Sequence, residues 1–300
     1  MRLDDERESE YVEDRRGERS YVGGTMGGSA RGLMLLWPLM RMLLRTRIGW
    51  AIIGIGVLAY LAGFNPLSLL GGSGAVSRPV DRQSEQKEAV FIKKVLASTE
   101  DVWSRLLPKY GYRYRPPVLV LYRGGTRSGC GFAREQMGPF YCPNDEKVYL
   151  DLGFFDELAR RHDAPGDFAQ AYVLAHEVGH HVQKILGTLQ KVHALQQRAM
   201  SRGDKVAANH LQIPVELQAD CYAGVWAHYN QNRLDPGDID EALRAASHIG
   251  DDTLQKQAQG YVVPDSFTHG TSRQRVEWFR RGYESGDLRA CDTFRALAQR

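Results

Sequence analysis

Residues 166–187 read GDFAQAYVLAHEVGHHVQKILG, and this stretch decides both the fold class and the chemistry that the sequence predicts. Its apolar residues recur at the three- and four-residue spacing of a buried helix. Asp167 is a suitable N-cap residue, and Gly187 is a suitable residue just beyond the last turn. The pattern therefore predicts one helix from about residue 167 to residue 186.

Within this helix, residues 176–180 form the motif HExxH. Residues four apart share a helix face with Cβ atoms about 5–6 Å apart, so the imidazoles of His176 and His180 can bind one tetrahedral zinc ion. Glu177 lies beside the metal and can act as a general base toward a zinc-bound water. The alternative is an ordinary helix with two exposed or capped histidines, but unpartnered polar groups are costly in an apolar stretch.

A catalytic zinc site needs a third protein ligand and leaves a fourth position open. The segment IPVELQADCYAGVW begins at residue 213 and predicts a second helix over residues 214–229. Glu216 and Asp220 share a face of that helix. We expect Glu216 to bind the metal and Asp220 to accept a hydrogen bond from a ligand imidazole. The alternative for an acidic pair is a solvated helix face, which the apolar neighbours disfavour.

Most other histidines are expected at the surface or at helix caps. His181 points about a quarter-turn away from His180, so we expect it to pack or to support a ligand. His269 precedes a predicted helix start in THGTSRQR (residues 268–275), where His269 or Arg275 can steady the oxyanion that forms when water attacks a carbonyl. A loop histidine beside a capping residue explains His269 equally well.

Shorter patterns surround the two motif helices. Val118–Tyr122 and Lys147–Leu152 are rich in β-branched and aromatic residues and predict strands. Helical spacing predicts further helices over residues 84–107, 189–202, 238–249 and 272–283. A few early strands followed by helices indicate an α+β domain over residues 84–300, mostly helical with a small sheet.

An uncharged stretch precedes this domain. Residues 48–70 read IGWAIIGIGVLAYLAGFNPLSLL, long enough to cross a bilayer about 30 Å thick as one transmembrane helix. The arginines before it predict a cytoplasmic tail over residues 1–47, with an apolar stretch along the inner membrane surface, and a domain on the other side. Residues 71–83 are predicted to be a linker. A cleaved signal peptide and a buried core helix are the alternatives for residues 48–70.

Composition and cysteine content bear on the number of domains, on nucleic-acid binding and on disulfide formation. The 300 residues are 43% apolar, which suffices for one domain with a substantial core. A formal charge of +3, without a basic block that contains aromatic residues, argues against nucleic-acid binding. Four cysteines indicate two disulfides in an oxidising compartment, the simplest pairing being Cys130 with Cys142 and Cys221 with Cys291. Four reduced, buried thiols are the alternative.

HExxH followed by ExxxD on a later helix resembles the gluzincins, the thermolysin-like class of zinc peptidases, and maps onto His176, Glu177, His180, Glu216 and Asp220. The segment THGTSRQRV resembles its counterpart in the small membrane gluzincins, although Gly270 stands where those proteins have proline. Longer stretches identify the chain as a member of a bacterial neutral zinc metallopeptidase family: ESEYVEDRRG, GCGFAREQMGPFYCPNDEKVYLDLGFFDEL, DFAQAYVLAHEVGHHVQ, VELQADCYAGVWA and SFTHGTSRQRVEWFRRGYESGD.

The resemblance implies a zincin-like, minimal gluzincin domain with one zinc ion per chain and a polypeptide substrate. It also implies that the Val148–Leu152 strand is the edge along which an extended peptide lies. The implied activity is that of an endopeptidase acting on extended or unfolded polypeptides outside the inner membrane. The alternative is a non-catalytic, zinc-stabilised envelope scaffold, which needs a fourth protein ligand. For residues 1–31, a partner-binding role and a solvated tail both stay open.

Overall fold

The computed structural model describes residues 1–18, 82–134, 137–155 and 166–298. Strands β1 to β6 span Val12–Asp14, Val118–Tyr122, Gly125–Ser128, Gly131–Arg134, Phe140–Cys142 and Lys147–Asp151. Helices α1 to α9 span Arg82–Leu106, Asp167–Ile185, Thr188–Ser201, Lys205–His210, Ile213–Tyr229, Asp238–His248, Asp251–Gln259, Ser272–Ser285 and Thr293–Ala298. The described part of the chain is mostly helical with two small sheets, which confirms the predicted α+β class.

Four strands form one sheet in the order β1-β2-β6-β5. Strands β1, β2 and β6 run parallel, and β5 pairs with β6 in the antiparallel direction. The last four residues of β2 are buried, as expected of an apolar parallel strand covered on both faces. Strands β3 and β4 form a separate antiparallel pair. Strand β5 therefore lies at one edge of the four-stranded sheet.

Helices α2, α5 and α8 pack against one another in the centre of the domain. Residues 214–227 of α5 are all buried, which explains why apolar residues occur on every side of this helix. A Cβ atom at Gly179 of α2 would lie 3.1 Å from the carbonyl oxygen of Ala219 on α5. At Gly282 of α8, a Cβ atom would lie 1.9 Å from the carbonyl oxygen of Cys221. Glycine at these two positions therefore lets the three helices approach closely.

The predicted helices agree with the structure to within about two residues at most ends. Helix α1 begins at Arg82, two residues before the expected start, and Gly166 rather than Asp167 occupies the N-cap position of α2. Helices α4, α7 and α9 and strands β1, β3, β4 and β5 were not predicted, because each is too short to establish a clear period.

Residues 1–18 do not form the separate tail that the sequence predicted. Strand β1 pairs with β2, so this segment adds a strand to the sheet. The guanidinium of Arg7 lies 2.7 Å from a carboxylate oxygen of Glu100. Arg16 donates a hydrogen bond to the side-chain oxygen of Gln86 at 3.0 Å. The mixed charges that suggested a solvated tail are therefore partly paired with residues far along the chain.

The transmembrane helix predicted at residues 48–70 lies outside the described residues. The apolar stretch before it and residues 71–81 of the predicted linker lie outside them as well. Among the helices of the described ranges, none combines the length and the apolar character needed to span a bilayer.

Both predicted disulfides are present. Cys130, in the turn between β3 and β4, is bonded to Cys142 at the end of β5. Cys221 of α5 is bonded to Cys291, just before α9. Each bond closes a loop and so restricts the unfolded chain. One disulfide thus tethers the edge strand, and the other tethers the helix that carries Glu216.

Candidate metal centre

Helices α2 and α5 bring the two motifs together. The Nε2 atom of His176 lies 3.3 Å and that of His180 lies 3.5 Å from one carboxylate oxygen, Oε2 of Glu216. The three atoms lie within 4.8 Å of one another, with His176 and Glu216 buried and His180 partly buried. Two imidazole nitrogens and one carboxylate oxygen facing a common point are the donor set of a catalytic zinc site. The residues present therefore fit this metal.

The other nitrogen of each imidazole is held by a different kind of group. Nδ1 of His176 lies 2.8 Å from Oδ1 of Asp220, where the sequence predicted a supporting carboxylate. Nδ1 of His180 lies 2.9 Å from the side-chain oxygen of Gln183. With these acceptors, the neutral rings carry their hydrogen on Nδ1 and direct the Nε2 lone pairs toward the common point. The role of Gln183 was not predicted.

A second amide orients the carboxylate ligand. Gln212 donates a hydrogen bond from Nε2 to Oε1 of Glu216 at 2.8 Å, and it accepts one from Gln196 of α3 at 3.1 Å. The other carboxylate oxygen remains directed at the imidazoles. Burial raises the pKa of Glu216, but the two facing histidines outweigh this and hold it well below the usual value. Glu216 is therefore ionised, as a metal ligand must be.

Asp220 belongs to a buried charged cluster behind His176. Nε and Nη2 of Arg275 each lie 2.9 Å from a carboxylate oxygen of Asp220, and the hydroxyl of Tyr172 donates to Oδ1 at 2.6 Å. Burial raises the pKa of Asp220, but Arg275 and His176 lower it to about 2. Because its guanidinium is engaged with Asp220, Arg275 is placed as a counter-ion behind the ligand. This position does not favour the oxyanion role considered for it.

His269 lies at the cleft and is oriented by Asp251. Nδ1 of His269 is 3.0 Å from Oδ1 of Asp251, whose Oδ2 accepts the backbone N–H groups of Thr268 and His269. This hydrogen bond raises the pKa of His269, although burial opposes it. Gly270 has a φ of 84°, a conformation that proline cannot adopt. The glycine that departs from the gluzincin pattern is therefore required by the turn that presents His269.

A cleft of about 800 Å³ lies over the three ligand atoms. Phe140 and Tyr141 of β5 line one part of it, and Leu189 and Val192 of α3 line another. Glu177 also lines the cleft and is only 8% exposed. Burial raises the pKa of Glu177, and the neighbouring histidines partly offset this. A carboxylate with a raised pKa is suited to accept and return a proton.

The expected edge strand is wrong. The resemblance implied that an extended peptide lies along Val148–Leu152, but residues 148–151 belong to β6, which lies between β2 and β5 and is paired on both sides. The edge beside the cleft is β5, Phe140–Cys142. Strand β5 was not recognised from the sequence because three residues between two prolines show no clear alternation of apolar and polar residues. The order of strands within a sheet is also not encoded in any local stretch of sequence.

The comparisons with known proteins agree with this geometry. The family described as "Putative neutral zinc metallopeptidase" matches residues 1–294, and the chain belongs to that family. It is 48% identical over 304 residues to "Uncharacterized protein YpfJ" of Escherichia coli strain K12, covering 98% of this chain and 99% of the relative. It is 42% identical over 212 residues to "Uncharacterized protein Rv2575" of Mycobacterium tuberculosis, covering 66% of this chain and 68% of the relative. No solved structure matches the chain.

Proposed function

We propose that this protein is a zinc-dependent endopeptidase with a zincin-like fold, binding one zinc ion through His176, His180 and Glu216. The observation that carries the proposal is the convergence of these three ligand atoms within 4.8 Å, beneath a cleft bordered by an edge strand. A zinc ion bound there would polarise the scissile carbonyl and make a water ligand acidic near neutral pH.

The protein's own residues supply the remaining chemistry. Glu177 accepts the proton of the attacking water and returns it to the leaving amine. His269, held by Asp251, presents its imidazole to the cleft, where it can stabilise the negative charge that develops on the carbonyl oxygen. Asp220 and Gln183 keep the ligand imidazoles in the tautomer and orientation that binding requires.

The substrate class follows from the shape of the site. An extended peptide can add to the edge of a sheet through main-chain hydrogen bonds, and β5 is the edge that lines the cleft. Folded proteins hide their main-chain groups in secondary structure. We therefore propose extended or unfolded polypeptides as substrates.

A zinc-stabilised scaffold is the second candidate. A structural zinc site is closed by four protein ligands, whereas the group found around His176 within the described ranges contains three. An open fourth position beside a cleft and a buried carboxylate favours catalysis.

For the location, we propose that the domain lies on the oxidising outer side of a bacterial inner membrane, with residues 48–70 as the anchor. The two disulfides support an oxidising compartment. The uncharged 23-residue stretch supports membrane attachment.

The test combines metal content with proteolysis by the full-length protein. We expect about one zinc per chain by elemental mass spectrometry and zinc-dependent cleavage of fluorescently labelled casein. Glu216→Ala should lose most of the zinc. Glu177→Gln should keep the zinc and lose on the order of a thousandfold or more in rate, since a general base alone contributes 10²–10⁴-fold.

Glu277→Gln is the matched control for the Glu177 variant, because Glu277 is an exposed glutamate on α8. It should retain both zinc and activity. A zinc-loaded Glu177→Gln protein that cleaves casein at the wild-type rate would overturn the assignment of the base. Zinc binding that does not depend on Glu216 would overturn the proposed ligand set.

A further inference from the structure

The side chain of His181 joins the edge strand β5 to helix α2. The hydroxyl of Tyr141 on β5 lies 2.9 Å from Nδ1 of His181. On the other side of the ring, Nε2 lies 2.6 Å from the carbonyl oxygen of Arg115. His181 is 1% exposed, so both contacts are shielded from water. A histidine next to a metal ligand thus connects α2, β5 and the segment before β2.

The two contacts determine where the imidazole carries its hydrogen. A carbonyl oxygen can only accept, so Nε2 of His181 is the donor and Nδ1 accepts the hydroxyl hydrogen of Tyr141. The rings of Tyr141 and Tyr114 contact the imidazole edge-on, with centroids 5.4 and 6.0 Å away. The imidazole is therefore fixed by hydrogen bonds at both nitrogens and by aromatic rings.

The backbone of Tyr141 also contacts the catalytic helix. Pro139 has no N–H group to donate to β6, so Phe140 forms the hydrogen-bonded pair with Tyr149 and the next residue, Tyr141, faces away from β6. The backbone of Tyr141 lies close enough to the Glu177 carboxylate to lower the pKa of that group. In an antiparallel pair, a residue directs its N–H and C=O to the same side of the strand. The carbonyl of Tyr141 therefore points outward as well, toward the open edge.

The residues that share this outward direction offer no N–H groups. Positions 139 and 143 alternate with Tyr141 along the strand, and both are prolines. The ammonium of Lys184 on α2 already donates to the carbonyl of Pro143. Of residues 139, 141 and 143, only Tyr141 therefore directs an N–H group outward, and its carbonyl lies at the centre of this edge.

We propose that His181 and Tyr141 form a clamp that positions β5 for peptide binding, so that the carbonyl of Tyr141 accepts an N–H group of an extended substrate beside Glu177. The inference rests on the proposed peptidase function and adds positioning residues to it. The clamp acts on substrate binding and leaves the metal ligands unchanged, because neither side chain belongs to the ligand set.

Tyr141→Phe tests the clamp, because it removes the hydroxyl and keeps the ring. With labelled casein as the substrate, we expect KM to rise about five- to tenfold, since a buried acceptor on His181 loses its partner. The kcat value should stay within about twofold, and zinc content should be unchanged. Tyr149→Phe on β6 is the matched control, because that hydroxyl binds Asp145 and not α2. It should leave KM unchanged.

Two further variants separate positioning from general destabilisation. His181→Gln retains a donor and an acceptor, so its KM should stay close to that of wild type. His181→Leu retains neither, so its KM should rise as much as that of Tyr141→Phe. If the two side chains act as one unit, the double variant Tyr141→Phe/His181→Leu should be no worse than His181→Leu alone. Additive effects in the double variant would overturn the clamp.

Hydrogen–deuterium exchange tests the clamp without any catalysis. The peptide that covers residues 137–144 should exchange about tenfold faster in zinc-loaded Tyr141→Phe than in wild type or Tyr149→Phe, since one restraint on β5 is lost. Unchanged exchange there would overturn the clamp even in an active enzyme. If wild type does not cleave casein but the exchange rate changes as expected, the proposed function fails while the restraint on β5 stands.

Discussion

The two sides of the metal centre are supported in different ways. Behind His176 lies an ionic cluster, in which Asp220 is 0% and Arg275 is 2% exposed. Behind His180 lies a neutral chain, in which Gln183 donates to Gln218 at 3.1 Å. The ionic side combines strong attraction with a large cost when one partner is lost. On the neutral side, both the attraction between partners and the cost of losing one partner are smaller. Substitutions on the two sides should therefore change stability by unequal amounts.

The largest effect is expected on the ionic side. Asp220→Ala leaves the Arg275 guanidinium buried without its carboxylate, so the free energy of unfolding should fall by about 3–5 kcal/mol. Urea unfolding of the metal-free protein would measure this loss. The paired change Asp220→Leu/Arg275→Met should recover most of it, because no charge is then left unpaired. A loss below about 1 kcal/mol in Asp220→Ala would show that the cluster does not stabilise the fold.

A smaller effect is expected on the neutral side. Gln183→Ala removes the acceptor that holds His180 and should weaken zinc binding by about 10- to 100-fold, measured by competition with a chelator. Gln190→Ala, an exposed glutamine on α3, is the control and should bind zinc like wild type. If Gln183→Ala destabilised the protein as much as Asp220→Ala, the proposed difference between the two sides would be wrong.

Gln212 supports the carboxylate ligand, and its removal should weaken zinc binding by an amount at the lower end of that expected for Gln183. Gln212→Ala frees Oε1 of Glu216 while keeping the ligand itself, so we expect a loss of zinc affinity of about tenfold, at the low end of the range for such supporting groups. Gln196→Ala, one contact further out, should cost less. Chelator competition on both variants would rank them. The reverse ranking would contradict the role assigned to Gln212.

The smallest change concerns pH. The hydrogen bond to Asp251 raises the pKa of His269, so its imidazolium persists to higher pH than in a free histidine. Asp251→Asn should lower this pKa toward its usual value, and the alkaline limb of the kcat/KM profile should move to lower pH. Asp252→Asn is the control, because Asp252 accepts from Ser272 instead. An unchanged profile in Asp251→Asn would exclude His269 as the group that sets this limb.

The ligand set could be predicted from the helical spacing of ionisable residues. His176, His180 and Glu216 were inferred from helical geometry, since a polar group in an apolar helix needs a partner. The supporting role of Asp220 was inferred because it shares a helix face with Glu216. Gln183 was not predicted, because an uncharged amide in a helix has no sequence pattern that distinguishes a metal-supporting role from a surface position.

Long-range pairings limited the rest of the prediction. Strands β1 and β5 have three residues each, which is too few to establish a period, and the partner of β1 lies far along the chain. The acids and bases of residues 1–18 suggested a solvated segment, yet Arg7 is paired with Glu100, 93 residues away. Asp251 was missed for the same reason, since only the folded chain brings it to His269.

One feature of the fold joins two points that are far apart along the chain. Arg16 donates to the side-chain oxygen of Gln86 at 3.0 Å and lies 3.6 Å from Glu85, so residues 16 and 85 are neighbours although 69 positions separate them. Strand β1, which ends two residues before Arg16, is hydrogen-bonded to β2. If the chain is cut between these two points, the N-terminal fragment is held to the rest of the domain by hydrogen bonds and ion pairs alone. The domain then becomes a two-chain complex, in which one fragment completes the sheet of the other.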